Sequence, residues 1–342
     1  MSKPFSYGGQ AVIEGVMMRG RNGWAVAVRH PSGHIIVREQ PLTSLVYRSR
    51  WGRWPFVRGV LALWETLSLG MRSLLFSANV AVAAEAAAQK AQGNGQAERA
   101  AAVSPAEIEK EAGEVPQGVM WGSVLLAFSV AIGVFFVLPV LAAGWIDRFL
   151  AGLPYEKVLS NLVEGVIRIG LLIGYMAAIS LVPDVRRVFE YHGAEHKAIH
   201  AWEQGAPLTP ESVLRFSRIH PRCGTTFVLV VMVLYVLIFS LLGKPPLVER
   251  ILSRVLLIPV LAALAYELIK WAARHYANPV VRAVMAPGLS LQLLTTREPD
   301  ASQAEVAITA LTRVLAADGV LPAAQPQGSG SPLLQQVADA GA

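Results

Sequence analysis

The run Val119–Ile146 restricts this chain more than any other stretch, because it is almost wholly apolar and carries no charged side chain. A helix needs about 20 mainly apolar residues to cross the hydrocarbon core of a bilayer. Leu162–Val182, Thr225–Leu242 and Val255–Trp271 repeat the pattern with few charges. Backbone N–H and C=O groups in lipid are satisfied only within helices or closed barrels, and unbroken runs of this length are helical. The expected fold is therefore mainly α: a polytopic helical membrane protein with about four transmembrane helices. Composition agrees, since 54% of the 342 residues are hydrophobic and 16% are charged, against about 25% charge in a soluble protein. The lipid bilayer is the expected partner, with a membrane-protein partner or a homo-oligomer also open. The net charge of +6 comes without a run of Lys or Arg, so no nucleic acid is expected.

The runs divide the chain. Residues 1–58 read as a small β-rich cytoplasmic unit, with Trp24–Val28 and Ile35–Val37 flanking the turn residues Pro31, Ser32 and Gly33. Residues 59–91 have a helical, mostly apolar pattern broken by Glu65, Arg72 and Asn79. They read as an amphipathic helix lying on or partly in the membrane, preceded by Arg and Trp residues suited to the headgroup level. Residues 92–118 read as a mobile linker, 119–286 as the transmembrane domain with a His-rich loop at 184–224, and 287–320 as a cytoplasmic C-terminal segment. That segment opens on a Pro287-Gly288 turn and holds a helix begun by a capping box, Ser302 to Glu305. Residues 321–342 have the composition of a disordered tail. The 184–224 loop carries Arg186, Arg187, Lys197, Arg215, Arg218 and Arg222, which places it on the cytoplasmic side. An even number of spans then puts both termini in the cytoplasm as well. No signal peptide pattern precedes the first run.

The chemistry gathers in that loop. Four of the seven His, namely His192, His196, His200 and His220, fall within it, and the single cysteine, Cys223, follows closely. His192-Gly193-Ala194-Glu195-His196 is an H-x-x-E-H sequence, the inverted form of the zinc-protease motif. On a helix, residues four apart share a face, so His192 and His196 can turn ring nitrogens towards one metal ion. Glu195 is the candidate general base. His200 and Glu203 stay within about 80° of His192 around the helix. A catalytic zinc site needs a third protein ligand and one open position, and His220 or Cys223, flanking Arg222, could supply the ligand. Zinc is the default ion for such a set. Gly205 and Pro207 end this helix, and Thr209-Pro210 is expected to start a second one over about 211–219. The glycine-rich segment Gly8–Gly20 offers Glu14, to orient a ligating imidazole or bind the ion, and Arg19, to hold an anionic substrate group. Glu14 pairing with Arg19 on a hairpin surface is the alternative.

Taken together, Tyr7–Gly20, Tyr191–His200, His220–Thr225 and Leu293–Pro299 resemble the YqhQ-like family of uncharacterised bacterial membrane proteins, which carry a domain of unknown function. The resemblance covers nearly the whole chain apart from the 92–118 linker and the tail. It implies the bacterial inner (plasma) membrane as location, and the family's description as predicted metal-dependent enzymes implies a divalent metal. Three readings follow. The first is a metal-dependent, hydrolytic membrane enzyme. The second is a non-catalytic membrane scaffold or assembly factor with a structural metal site. The third is a transporter using Glu164, Arg168 and Glu267, which the lack of an internal repeat disfavours.

Overall fold

The computed structural model describes residues 5–42, 54–94, 117–241 and 245–322. Residues 95–116 of the expected linker, the tail beyond 322 and most of the Arg- and Trp-rich stretch before Trp54 lie outside the described residues. Near the N-terminus, β1 (Gly8–Val12), β2 (Gly15–Arg19), β3 (Gly23–Arg29) and β4 (Ile35–Pro41) form one antiparallel meander. Ile13 and Glu14 make the tight turn between β1 and β2, and Glu14 takes a left-handed φ of 51°.

Side chains alternate across a strand, and here both faces are covered. Val16, Met18, Ala25 and Ala27 pack against α5 (Pro183–Glu203) and α11 (Ala301–Ala317). Met17, Trp24, Val26 and Val28 pack against Leu69, Phe76, Val80 and Ala83 of α1 (Val57–Asn94). This explains why β2 and β3 read as continuous apolar runs, since neither face meets water. The helix α11 begins at Asp300, whose carboxylate accepts from the Gln303 N–H, with Gln303 closing the capping box. The cap thus sits two residues before the expected Ser302.

Four described helices are long and apolar enough to cross a membrane: Val57–Glu85, Gly122–Leu150, Glu156–Ile179 and Gly224–Leu241. They correspond to the first part of α1, to α2 (Gln117–Ile132) with α3 (Leu138–Leu150), to α4 (Glu156–Ile179) and to α7 (Gly224–Leu241). Three match expected runs. The fourth expected run is instead a pair, α8 (Leu247–Leu256) and α9 (Ile258–Arg274), bent by 42°. Leu257 and Pro259 lie at that break, where a proline has no N–H to continue the ladder. The α1 window is 44% buried within the protein, against 11–17% for the other three, because one face of α1 covers the sheet. Its other face presents Val60, Trp64, Leu67, Met71, Leu74 and Val82 outward at helical spacing.

One local break in the helical pattern has a chemical cause. Between α2 and α3, Gly133–Val137 form a π-helical turn. Pro139 cannot donate to the carbonyl four residues before it, and that carbonyl, Phe135 O, accepts from Arg168 Nε at 2.6 Å. Pro287 and Gly288 were expected in a turn, but they lie within α10 (Pro279–Thr295). The helix continues there because Gly288 packs against Thr226 of α7, whose hydroxyl donates to its carbonyl at 3.3 Å. Likewise α6 (Pro210–Val213) is a single turn capped by Thr209, and the chain from 214 to 223 is irregular rather than helical.

The helical layer has an apolar exterior, and it buries Glu164, Arg168, Arg250 and Arg254 among its apolar clusters. Leu125, Leu126, Phe128, Trp145, Phe149, Val166 and Leu237 are all more than half exposed. The helix α8 is inverted relative to a soluble helix: Val248 is 76% exposed while Arg254 is 1% exposed. Among these elements, the clasp of α1 on the sheet is open to direct measurement. Phe76→Ala removes a fully packed ring from that face and is expected to cost about 3–5 kcal/mol. Chemical denaturation should show the loss, and hydrogen exchange should place the lost protection in α1 and β3.

Candidate metal centre

The helix α5 packs beside α11 on one face of the sheet, so its central residues from Tyr191 to Ala201 are mostly buried. His192 and His196 stand one turn apart with ring centroids separated by 4.4 Å. The irregular segment after α6 returns to them, and Cys223 ends it immediately before α7 starts. One ligand atom from each of His192, His196 and Cys223 lies within 4.8 Å of the other two. Cys223 Sγ is 3.4 Å from His192 Nε2. Tetrahedral geometry with zinc–sulfur and zinc–nitrogen bonds of about 2.3 and 2.05 Å puts sulfur and nitrogen about 3.6 Å apart, so the spacing fits one ion.

Main-chain carbonyls fix the imidazoles. His192 Nδ1 donates to Thr295 O at 2.8 Å, His196 Nδ1 to Arg218 O at 2.5 Å and His200 Nδ1 to Ser217 O at 2.9 Å. A proton held on Nδ1 leaves Nε2 with its lone pair, the form that binds metal. Burial pushes His196 below the ordinary imidazole value, and burial together with His220 brings His200 down to about 4. Both rings are therefore neutral at pH 7.

His220 takes the opposite tautomer. Its Nδ1 accepts the Arg222 N–H at 3.3 Å, and its Nε2 faces Glu203 at 3.4 Å. Glu203 is also bound by the Arg222 guanidinium. His200, Glu203, His220 and Arg222 thus form a second cluster beside the first, and Cys223 is the residue that converges with His192 and His196. Gln292, which sequence reasoning passed over, clamps His220 from both sides: Oε1 accepts the His220 N–H at 2.9 Å and Nε2 donates to its carbonyl at 2.8 Å.

Glu195 is buried against the sheet, where the Gly9 N–H donates to its carboxylate. Its Oε2 lies 3.5 Å from His196 Nε2. Burial raises the carboxyl and lowers the imidazole, which disfavours a full ion pair at this contact. A side chain at Gly9 would meet Glu195 Cγ, so the glycine is what lets β1 approach. Glu14 takes its partners from α5, at Arg187 and Tyr191. Arg187 grips it with two donors and the Tyr191 hydroxyl adds a bond of 3.2 Å. Arg19 points to the other sheet face and pairs with Glu65 of α1 at 3.0 Å. Glu267 is held by Arg58 and joins α9 to α1. Glu164 and Arg168, four apart on α4, pair at 3.1 Å.

The residues that carry the resemblance are those that build this centre. A profile of the family described as "Protein of unknown function (DUF1385)" matches residues 54–317. The chain belongs to the DUF1385 family. It is also similar to "Uncharacterized protein YqhQ" of Bacillus subtilis (strain 168), with 33% identity over 319 residues, covering 91% of this chain and 93% of that protein. No solved structure matches. Within this DUF1385 chain the Leu293–Pro299 motif acquires a physical role. Thr295 O orients His192, Arg297 N–H donates to Phe189 O at 2.8 Å, and Glu298 pairs with Lys197 at 2.9 Å. The segment crosses α5 at Gly193, where an added Cβ would collide with the Arg297 carbonyl oxygen. Gly193→Ala is therefore expected to push the segment off α5. It should lower the thermal midpoint and, in cobalt or zinc titrations, abolish tight binding, although no ligand atom is changed.

Proposed function

We propose that this chain is an integral membrane protein whose cytoplasmic face carries a metal-dependent hydrolytic site. Insertion is supported by the apolar girdle of α2, α3, α4 and α7 and by α8, whose charged face is buried and whose apolar face is exposed. An exposed apolar surface of this extent is unstable in water. The basic 184–224 loop is the cytoplasmic one by the positive-inside rule, and the sheet packs on its helix α5. Fusions to a reporter active on only one side should report the cytoplasm after Gly205 and the opposite side after Gly152. A cytoplasmic signal at both positions would break the topology.

The observation that carries the catalytic reading is the convergence of His192, His196 and Cys223 with Glu195 alongside. Three protein ligands leave a fourth position on a tetrahedral ion, the mark of a catalytic rather than a closed structural site. A divalent ion held there, zinc by the character of the donors, would supply Lewis acidity. The chain's own residues do the rest. Without an ion, the Cys223 thiol can donate to His192 Nε2, and its proton is the one ligation releases. Glu195, raised by burial, suits accepting a proton near neutral pH and passing it on. Arg222, beside the centre, is placed to receive an anionic group of a substrate.

Metal analysis of the purified chain tests this. His192→Ala, His196→Ala and Cys223→Ala should each lower metal content, and His220→Ala should leave it closer to wild type. Glu195→Gln should keep the ion and lose about 100- to 10,000-fold of hydrolytic turnover. Full metal content in a His192→Ala, His196→Ala double variant would end the metal reading. A tightly bound ion with no exchangeable fourth ligand in the cobalt spectrum would make the site structural, and the protein a scaffold or assembly factor.

A further inference from the structure

The helical layer holds a second polar cluster that the histidine centre does not use. Tyr235 lies twelve residues beyond Cys223 along α7, about 18 Å away at 1.5 Å per residue. Around it, Glu164 of α4 accepts from three guanidiniums. Arg168 Nη2 reaches Glu164 Oε1 at 3.1 Å and Arg254 Nε reaches it at 3.1 Å. Arg250 grips Oε2 with Nε at 3.0 Å and Nη2 at 2.6 Å. The Tyr235 hydroxyl is the carboxylate's fourth partner, donating to Oε1 at 2.9 Å, so the carboxylate is fully occupied.

The charges do not balance. Three guanidiniums against one carboxylate give 3 − 1 = +2, and Glu164 is the only acidic group these arginines touch among the described residues. All four side chains are nearly inaccessible, with Arg168 at 0% and Arg254 at 1% exposure. Aromatic faces help: Arg168 lies 3.9 Å from the Tyr235 ring centroid and Arg254 lies 3.8 Å from that of Phe239. A ring quadrupole attracts a cation but carries no countercharge. Two donors in the same stripe of α4 have no partner among the described residues, Arg168 Nη1 and Ser160 Oγ. Buried charges without compensation are strongly unfavourable, and charged groups in such segments mark functional sites.

We propose that this cluster is an oxyanion site for a dianionic phosphate or phosphomonoester. A dianion cancels the excess charge, whereas a phosphodiester removes half of it. Guanidinium forks match phosphate oxygens in pairs, and Arg168 Nη1 is the donor left free to complete such a pair. The phosphate belongs either to a free anion or to the headgroup of a phosphomonoester lipid.

The test follows the unfolding midpoint of the full chain purified in neutral detergent. Inorganic phosphate is titrated against chloride at matched ionic strength, and phosphatidic acid against phosphatidylglycerol in mixed micelles. The midpoint should rise with inorganic phosphate if the anion is free, or with phosphatidic acid alone if it is a lipid headgroup. Arg168→Gln should weaken the apparent affinity by about 10- to 100-fold while eluting as a single species of wild-type size. Arg250→Gln serves the same purpose should Arg168→Gln fail to fold. A wild-type midpoint indifferent to both phosphate probes overturns the proposal. So does a rise retained in both variants, or one matched by phosphatidylglycerol.

Discussion

Two backbones meet at Gly193, and the site depends on that contact. The segment after α10 crosses α5 with the Arg297 carbonyl against the glycine and the Arg297 N–H bonded to Phe189 O. The crossing ties α10, which packs beside α7, to α5, which packs beside the sheet. It also sets out a row of main-chain acceptors. Thr295 O takes His192, and Thr296 O takes Arg218 Nη1, while the Arg218 carbonyl takes His196. Each such bond adds only about 1 kcal/mol net, but an imidazole N–H left unsatisfied in the interior costs about 1–3 kcal/mol. The rings therefore have one favourable orientation, which is the one that turns Nε2 towards Cys223.

The protein handles buried polar groups in two contrary ways. Around His192 and His196 burial works against charge: it lowers the His196 and His220 imidazoles and raises the Glu195 carboxyl. Around Glu164 the groups remain ions, and hydrogen bonds with aromatic faces hold them in place. A neutral centre can take up a cation and release protons to do so. A cationic centre of fixed guanidiniums cannot discharge by losing a proton, because arginine stays charged at any accessible pH.

Much of this was legible in the sequence where the cause is local. The apolar runs gave their helices because length and hydropathy act within one segment. His192, Glu195 and His196 share a helix, so their spacing alone placed them together. The choice between His220 and Cys223 stays open because both lie in the irregular segment 214–223, and no periodicity fixes its path. The partner of Glu14 is Arg187, far along the chain, and nothing near Glu14 announces it. Pro287-Gly288 has turn composition, yet the packing of Gly288 on Thr226 keeps it helical. Gln292 carries no motif, and its role is visible only once α10 lies beside His220.

The π turn between α2 and α3 bears on how the chain is made. Phe135 O is left over by Pro139 and finds its donor on Arg168, in the next helix. In a bilayer a spare carbonyl has no water to turn to, and a lone guanidinium has no anion. Each is costly alone and acceptable with the other. The connection from Ala151 to Tyr155 is short, so synthesis delivers the second partner soon after the first. On the membrane insertion proposed above, the segment from Gly122 to Ile179 would enter the bilayer as one antiparallel hairpin, with the donor and its carbonyl already joined.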